Sequence, residues 1–419
     1  MCSKSPKSKR YSSVTEERTH QLQGQLLCGK VAPKGYWVGT VPNIPDHLVN
    51  LKGGFKAFLS PPPEGVVRLT VGEPAFDTPS AISEAAIKAI REGDTHYTRG
   101  EGRESLCSSW ASYLRERWSI PVQDDGIVVT PGAKQALLYA MMVAAEPGDE
   151  VILMAPSWPT HVEQVEIMGA IPVLVKCQQP SFHPNLDDVA AAITDRTSAI
   201  LINSPNNPTG AVYTPEEMQG LVRLAIEHDL WIISDEIYTE LIWNETEHVA
   251  PAAIEGGFER TLTVVGPSKT HAMTGWRVGI FAAPTPVAKV VGRLQGNTCS
   301  HIPAFLMSAA EVAANNWDSV AEFRGDYIRR RALMMDLLNE IPILSASEPE
   351  GAFYMMVDVT STGMDATTFA KRAMDEAKVQ VIPLESLPGG EGFVRLSYAA
   401  EDEVIKEGVK RLGAWLNSQ

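Results

Sequence analysis

Two basic residues with different chemistry, Lys269 and Arg277, lie close together in the stretch from Gly266 to Ile280. An apolar, strand-like run from Thr261 to Val265 delivers Lys269 to a turn containing Gly and Ser, and Arg277 opens a second apolar run that ends near Ala283. A deprotonated lysine amine is a nucleophile and forms a Schiff base with an aldehyde. A guanidinium keeps its charge, and its planar fork matches a phosphate. Side by side they suit a ligand with an aldehyde at one end and a phosphate at the other, which is the make-up of pyridoxal phosphate. Taken alone, a surface turn with two ordinary basic residues reads the same, because Lys and Arg are mostly exposed.

Ligands of open α/β sheets lie beyond the carboxyl ends of the strands, so polar residues directly after apolar runs carry weight. Gly132-Ala133-Lys134 opens a helix after the run Ile127 to Thr130, where free backbone N–H groups and the helix dipole favour a phosphate, or where the glycine only caps the helix. Trp158 follows the run Glu150 to Ala155; its indole can stack on a flat ring or can simply be buried in packing. Asn203 to Gly210 holds the amide of Asn207 after another strand, where it can reach a ligand hydroxyl or serve an ordinary loop. Asp235 and Tyr238 follow the run Trp231 to Ile233. A carboxylate there suits a protonated ring nitrogen and a phenol a neighbouring oxygen, although strand-end acids also bind metals or cap helices. No His-Cys cluster supports a metal, and none is expected. Arg395 interrupts the apolar run Phe393 to Ser397 and must meet a carboxylate, either the substrate's or an internal one.

The elements that hold these residues alternate. Helices are expected over Pro79 to Glu92 and Arg103 to Trp118, after a strand from Val66 to Val71. Strand and helix patterns then succeed one another from Ile127 to Ala283, which predicts an α/β fold with a mostly parallel sheet covered on both faces by helices. Past Pro284 a long helical region runs from Pro303 to Asn339, with Arg329, Arg330 and Arg331 read as a solvated face. Strands at Phe353 to Val359, Gln380 to Pro383 and Phe393 to Tyr398, with helices Ala366 to Ala377 and Asp402 to Trp415, complete a smaller α+β domain. The division expected is a mobile extension over 1–40, an arm over 41–75 that joins the small domain and starts near Trp37 and Ile44, a large domain over 76–300 and a small one over 301–419.

Composition narrows the class. With 419 residues, 44% hydrophobic and 21% charged, the chain reads as soluble and globular, and a net charge of -15 argues against nucleic acid or an anionic membrane as partner. The cysteines, Cys2, Cys28, Cys107, Cys177 and Cys299, are odd in number and without Cys-x-x-Cys spacing, which fits the reducing cytoplasm better than a disulfide framework or a zinc site. No apolar run approaches the roughly 18 residues of a membrane helix, and the basic, polar first ten residues lead into no secretory core.

As a set, Gly72-Glu73-Pro74, Asn206 to Gly210, Ser234 to Tyr238, Ser268-Lys269 with Met273 to Arg277, Gly351 to Tyr354 and Val394 to Ser397 resemble the class I/II aminotransferases, fold-type I enzymes dependent on pyridoxal phosphate, over about five-sixths of the chain. The resemblance implies a seven-stranded large-domain sheet. It also implies an amino group moved between an α-amino acid and a 2-oxo acid, with Lys269 as the Schiff-base lysine and general base. Asp235 would hold the ring nitrogen, Asn207 and Tyr238 the ring oxygen, and Trp158 the ring face. Ala133, Lys134, Ser268 and Arg277 would surround the phosphate, and Arg395, with Gly72, Asn207 and Trp158, the substrate. Tyr97 would reach a phosphate in the partner subunit of a homodimer. Several positions depart from the family pattern: Gly266 stands where a Ser is common, Ala75 where an acid is, and His161 where an aromatic ring is. Cys299 to Pro303 and Pro383 to Gly390 replace loops that usually shape the substrate pocket. These departures motivate a second expectation, a relative that eliminates, substitutes, cyclises or oxidises a specialised amino acid, with His161 and Glu385 as its signs. A sensor fused to a DNA-binding module is the third reading; the extension is too short and the charge is wrong.

Overall fold

The computed structural model describes residues 62–243 and 247–419, together with Val49. The readings for 1–40 and, apart from Val49, for the arm as far as residue 61 lie outside the described residues. The first described elements are strand β1 (Val67–Arg68) and helices α1 (Ser80–Arg91) and α2 (Glu104–Trp118).

The alternating region then unrolls as β2 (Ile127–Thr130), α3 (Ala133–Ala144), β3 (Glu150–Ala155), α4 (Pro159–Ile167), β4 (Ile171–Lys176), α5 (Leu186–Ala192), β5 (Thr197–Asn203), α6 (Pro215–Glu227), β6 (Trp231–Asp235), β7 (Thr261–Val265), α7 (Pro267–Thr270) and β8 (Gly279–Ala282). Seven strands make one sheet in the order β2-β8-β7-β6-β5-β3-β4. The pairings from β4 through β7 are parallel, and β8 runs antiparallel to both of its neighbours.

The strands read as continuous apolar runs because both faces are covered. Successive side chains alternate across the sheet. Leu153, Leu201 and Ile233 face one core with Leu137 and Ala140 of α3, while Ile152, Ile200 and Ile232 face another with Met218 and Leu221 of α6. Helix α6 starts at a capping box: the Thr214 hydroxyl accepts from the Glu217 N–H and the Glu217 carboxylate accepts from the Thr214 N–H, ahead of Pro215.

Helices α8 (Thr285–Thr298), α9 (Ala304–Asn315) and α10 (Asp318–Asn339) follow. The smaller sheet comprises β9 (Ser345–Ala346), β10 (Tyr354–Asp358), β12 (Ile382–Pro383) and β13 (Phe393–Ser397), antiparallel in the order β12-β13-β10-β9. Helix α11 (Ala366–Arg372) runs on through a π-turn at Ala373–Ala377, β11 (Val379–Gln380) pairs in parallel with β1, and α12 (Asp402–Leu416) closes the chain. Leu69 is buried in the same core as Tyr327, Phe353, Val394 and Trp415.

Several expectations are corrected. The region 303–339 is two helices, parted at Asn316-Trp317, and α8 falls where no element is expected. The strand expected over Gln380 to Pro383 is split. Its first part pairs with β1 and its second with β13. The strand expected from Val66 to Val71 shrinks to two residues because the segment then bridges two partners: the Leu69 N–H donates to Gln380 O, and Leu69 O accepts from Ser397 N–H.

Arg330 and Arg331 are not a solvated face; they are 3% and 7% exposed. Consecutive helical residues are turned by about 100°, so three in a row cannot share one face. Arg330 lies over the Phe76 ring at 4.8 Å, donates to Ala399 O and pairs with Glu401 and Asp402 at 3.1 and 3.3 Å. Arg331 donates to Pro349 O and pairs with Glu348. Among the described residues no helix is long and apolar enough to cross a membrane, and no group of three or more metal-ligating side chains is assembled.

Candidate active site

The carboxyl ends of the parallel strands bring their following residues to one edge. Asn203 and Asp235, the last residues of β5 and β6, are register partners, and Asp235 is in turn level with Val264 of β7. Beyond that edge lies a cavity of about 450 Å³. Gly72, Ala133, Lys134, Trp158, Asn207, Asp235, Tyr238, Ser268, Lys269, Arg277 and Arg395 all border it. Tyr97 does not; it is 90% exposed, with its ring edge-on to His301.

Lys269 stands on the short helix α7, started by Pro267. Its amine donates to Gly72 O at 2.5 Å and lies 5.9 Å from the Phe353 ring. Burial pushes that amine down to about 8; Glu73 and Asp235 oppose the shift, and the Arg395 and Arg277 charges reinforce it. About a tenth of the amine is then free at pH 7.

Asp235 is 4% exposed and is held on both oxygens. One accepts from the Ile237 N–H at 3.3 Å, and the other from His161 Nε2 at 2.9 Å. Ser157 Oγ stands 3.3 Å from His161 Nδ1, which leaves Nε2 to carry the proton toward the carboxylate. The adjacent acid points the other way: Glu236 accepts from Ser234 Oγ at 2.8 Å and from His248 Nε2 at 3.1 Å.

Asn203 locks the loop after β5. Its amide donates to Asp235 O, and its Oδ1 accepts from the Asn207 N–H at 2.9 Å. Asn207 Oδ1 in turn accepts from Arg395 Nη1 at 2.9 Å, while Arg395 Nη2 donates to Thr70 O at 3.1 Å. Arg395 lies over the Tyr354 ring at 4.2 Å, and the Tyr354 and Tyr238 hydroxyls meet at 3.0 Å. Burial raises both phenols, Tyr238 well above the usual range, so they stay neutral.

At the opposite end, Gly132 takes φ +86° just before α3. A Cβ there would come within 2.3 Å of Arg277 Nη2, and a Cβ on Gly279 within 2.3 Å of the Ala133 nitrogen. The start of α3 is therefore pressed against β8 and under the guanidinium. Lys134, 5.0 Å over the Trp158 ring, is pushed down by burial and by the Arg277 charge, with Glu163 opposing. Neither Lys134 nor Arg277 joins an ion pair among the described residues. Two unneutralised cations beside free helix N–H groups fit a phosphate.

Sequence reasoning assigned no role to Arg68, Glu73, Asn203, Thr274 or Tyr354, which also border the cavity. Tyr354 and Asn203 sit inside motifs already singled out. Arg68 carries the same signal as Arg395, an arginine within an apolar run. Gly266 has a packing reason, since a Cβ would meet Gly279 Cα and Val278 O at 3.2 Å. Neither Cys299 to Pro303 nor Pro383 to Gly390 borders the cavity of its own chain. Glu385 is tied to the Ala366 and Gly392 N–H groups at 3.0 Å, and His161 to Asp235.

Fold and site together define an aminotransferase architecture, and comparison with known proteins agrees. The chain belongs to the aminotransferase class I and II family, which it matches over residues 64–412. It is 38% identical to a probable aspartate/prephenate aminotransferase of Aquifex aeolicus over 83% of this chain and 90% of that one. To an arginine–pyruvate transaminase of Pseudomonas aeruginosa it is 36% identical, over 83% and 89%. Among solved structures it superposes on the aspartate aminotransferase from Thermus thermophilus with maleate with a TM-score of 0.80 at 37% identity, covering 83% of this chain and 91% of that one.

Proposed function

We propose that this aminotransferase holds pyridoxal phosphate in the cavity, with Lys134, Arg277, Ser268 and the first amides of α3 around the phosphate. Asp235 would take the ring nitrogen, Asn207 and Tyr238 the ring oxygen, Trp158 the ring face and Lys269 the aldehyde. The observation that carries this assignment is the pairing of a lysine amine lowered to about 8 with a neighbouring pair of cations, Lys134 and Arg277, outside any ion pair among the described residues. When bound, the cofactor supplies an aldehyde that condenses with amines and a ring that accepts electron density.

The remaining work falls to the chain. Arg395, braced by Asn207 and Thr70, presents its guanidinium to the α-carboxylate of an amino acid or 2-oxo acid and fixes its orientation. Lys269, its amine free, would be the base that takes the proton from the substrate Cα and returns it to the aldehyde-derived carbon on the far side of the shared nitrogen. His161 donates to Asp235 and aims its carboxylate at the place of the ring nitrogen. The screen that tests the reading offers single amino acids to the purified, cofactor-loaded protein. A shift in cofactor absorbance with one 2-oxo acid released per site is expected; no oxo acid from any donor would sink transamination.

The printed names of the relatives differ in donor, so they leave the substrate open. Tyr97, exposed and outside its own cavity, supports a homodimer in which it completes the partner's site. Sedimentation at micromolar concentration tests this, and a monomer at full activity would refute it. A cytoplasmic location fits the sparse cysteines, and fractionation of the source cells checks it.

A further inference from the structure

His183 lies outside the cavity and none of the roles above uses it, yet it is half-buried between two acids. It sits in the segment that joins β4 to α5. Its Nδ1 stands 2.8 Å from Glu217 Oε2, and its Nε2 stands 3.1 Å from Glu350 Oε2. A neutral imidazole has one N–H and a carboxylate only accepts, so both contacts are hydrogen bonds only when the ring carries two protons. Glu217 and then Glu350 push the imidazole up to about 9, against the opposing effect of burial. Each acid has a second duty through the same oxygen. Glu217 closes the capping box of α6, and Glu350 accepts from the Val212 N–H at 2.8 Å.

The imidazolium thus ties the start of α6 to the turn 349–351, and that turn is pressed against the loop after β5. The Glu350 and Gly351 N–H groups both donate to Gly210 O, at 2.9 and 2.8 Å. A Cβ on Gly210 would come within 2.5 Å of Pro349 and 3.1 Å of Tyr354 O, and a Cβ on Gly351 within 2.7 Å of Pro205. Packing this close passes a shift of the turn to both segments that meet there. One carries Asn207, which accepts from Arg395 Nη1 at 2.9 Å, and the other carries Tyr354, whose ring lies 4.2 Å from the same guanidinium. Ile242 bridges to Gly351 and the Trp243 N–H donates to Glu350 O at 2.7 Å, so the turn keeps backbone anchors if the imidazole is removed.

We propose that His183, doubly protonated between Glu217 and Glu350, is a positioning residue for the substrate end: it pins the turn 349–351 to the loop after β5 and so holds Asn207 and Tyr354 against Arg395. This rests on the transamination reading only for Arg395 as the carboxylate site. The other charged or titratable groups around the pin are Tyr213 of the loop after β5, with its ring 6.2 Å away, Cys177 after β4, beside Tyr213 and Glu217, and Arg331 of α10, which acts on Glu350. Burial raises the phenol well above its usual range and the thiol to about 12, so neither ionises near pH 9.

The test is calorimetric titration of the cofactor-loaded protein with butyrate, an unreactive monocarboxylate, between pH 7 and 10. Native affinity falls in a step near pH 9 by about threefold to thirtyfold, the span over which a residue that touches no ligand alters binding through packed neighbours. His183→Gln shows the lowered affinity already at pH 7.5 and has no step, while its cofactor absorbance and cofactor affinity match those of the native protein. His183→Lys, which holds a charge to higher pH, keeps part of the affinity that the glutamine variant loses. A native profile flat through pH 9, read before any variant is made, overturns the proposal, as does a step that persists in His183→Gln. The step in a protein that releases no oxo acid from any donor leaves His183 assigned and removes transamination; oxo-acid release without the step does the reverse.

Discussion

The two ends of the cavity are built by different means. The end proposed for the cofactor is made where strands of one sheet stop: Gly132 after β2, Trp158 after β3, Asp235 at the end of β6, Lys269 after β7 and Arg277 before β8. Backbone geometry places them, through a positive φ at Gly132 and the level register of Asn203, Asp235 and Val264. The substrate end is assembled from separate pieces. Arg395 comes from β13 of the smaller sheet, Asn207 from a loop of the larger one, and Thr70 from the segment between β1 and Gly72. An end fixed by one sheet has little freedom in where its groups stand, whereas an end stitched from three segments can change its selectivity by single side chains.

Substitutions that act at one end should separate from those that act at the other. The largest effect is expected from Lys269→Ala, which removes the base and the amine that captures the aldehyde. Turnover should fall by at least about 10⁴-fold, with loss of the visible cofactor band, while butyrate binding at the substrate end stays measurable. An unchanged spectrum would break the assignment of the cofactor end.

The second expectation is a pH dependence. The Lys269 amine is displaced downward from 10.5 to about 8, so its protonated form is disfavoured by folding. Protein without cofactor should capture the aldehyde at a rate that rises up to pH about 8 and then levels off. At pH 6 it should be about a hundredfold slower than at the plateau, since each unit is a factor of ten. The same displacement makes the folded state gain stability as pH rises from about 8 toward 10.5, because the unfolded chain still holds the proton there. Stopped-flow absorbance follows the capture, and a profile still climbing at pH 10 contradicts the burial argument.

Gly132→Ala comes next. A Cβ 2.3 Å from Arg277 Nη2, on a residue at φ +86°, must displace the guanidinium or the start of α3. Cofactor affinity in an absorbance titration should drop by about tenfold or more, since a residue with a Cβ held in this extended, positive-φ conformation alone costs about 1–3 kcal/mol. Arg330→Ala is the control away from both ends. It deletes a buried guanidinium with ring, carbonyl and carboxylate partners and should lower stability to denaturant by about 2–3 kcal/mol without altering butyrate affinity.

Much of the cavity's lining was legible in the sequence because strand ends announce themselves: an apolar run stops and polar residues follow, as at Asp235 and Asn207. The alternation of strands and helices was legible for the same reason. Arg68 was legible in the same way as Arg395, as an arginine within an apolar run, yet it drew no role. The arginine triplet misled because charge suggests solvent, and only the packing of α10 against Phe76 and the Glu401-Asp402 turn reveals that two of the three are buried. The loop around Glu385 misled in the opposite way, since its distinctive residues are spent on N–H groups of its own neighbourhood.

The acids that end β6 have a last consequence. The pleat sends Asp235 to His161 on the cavity side and Glu236 to Ser234 and His248 behind it, so two adjacent carboxylates each have a histidine of their own and share none. They are not spares for one another: if Asp235 is lost, its neighbour cannot swing round to replace it without stranding a buried imidazole.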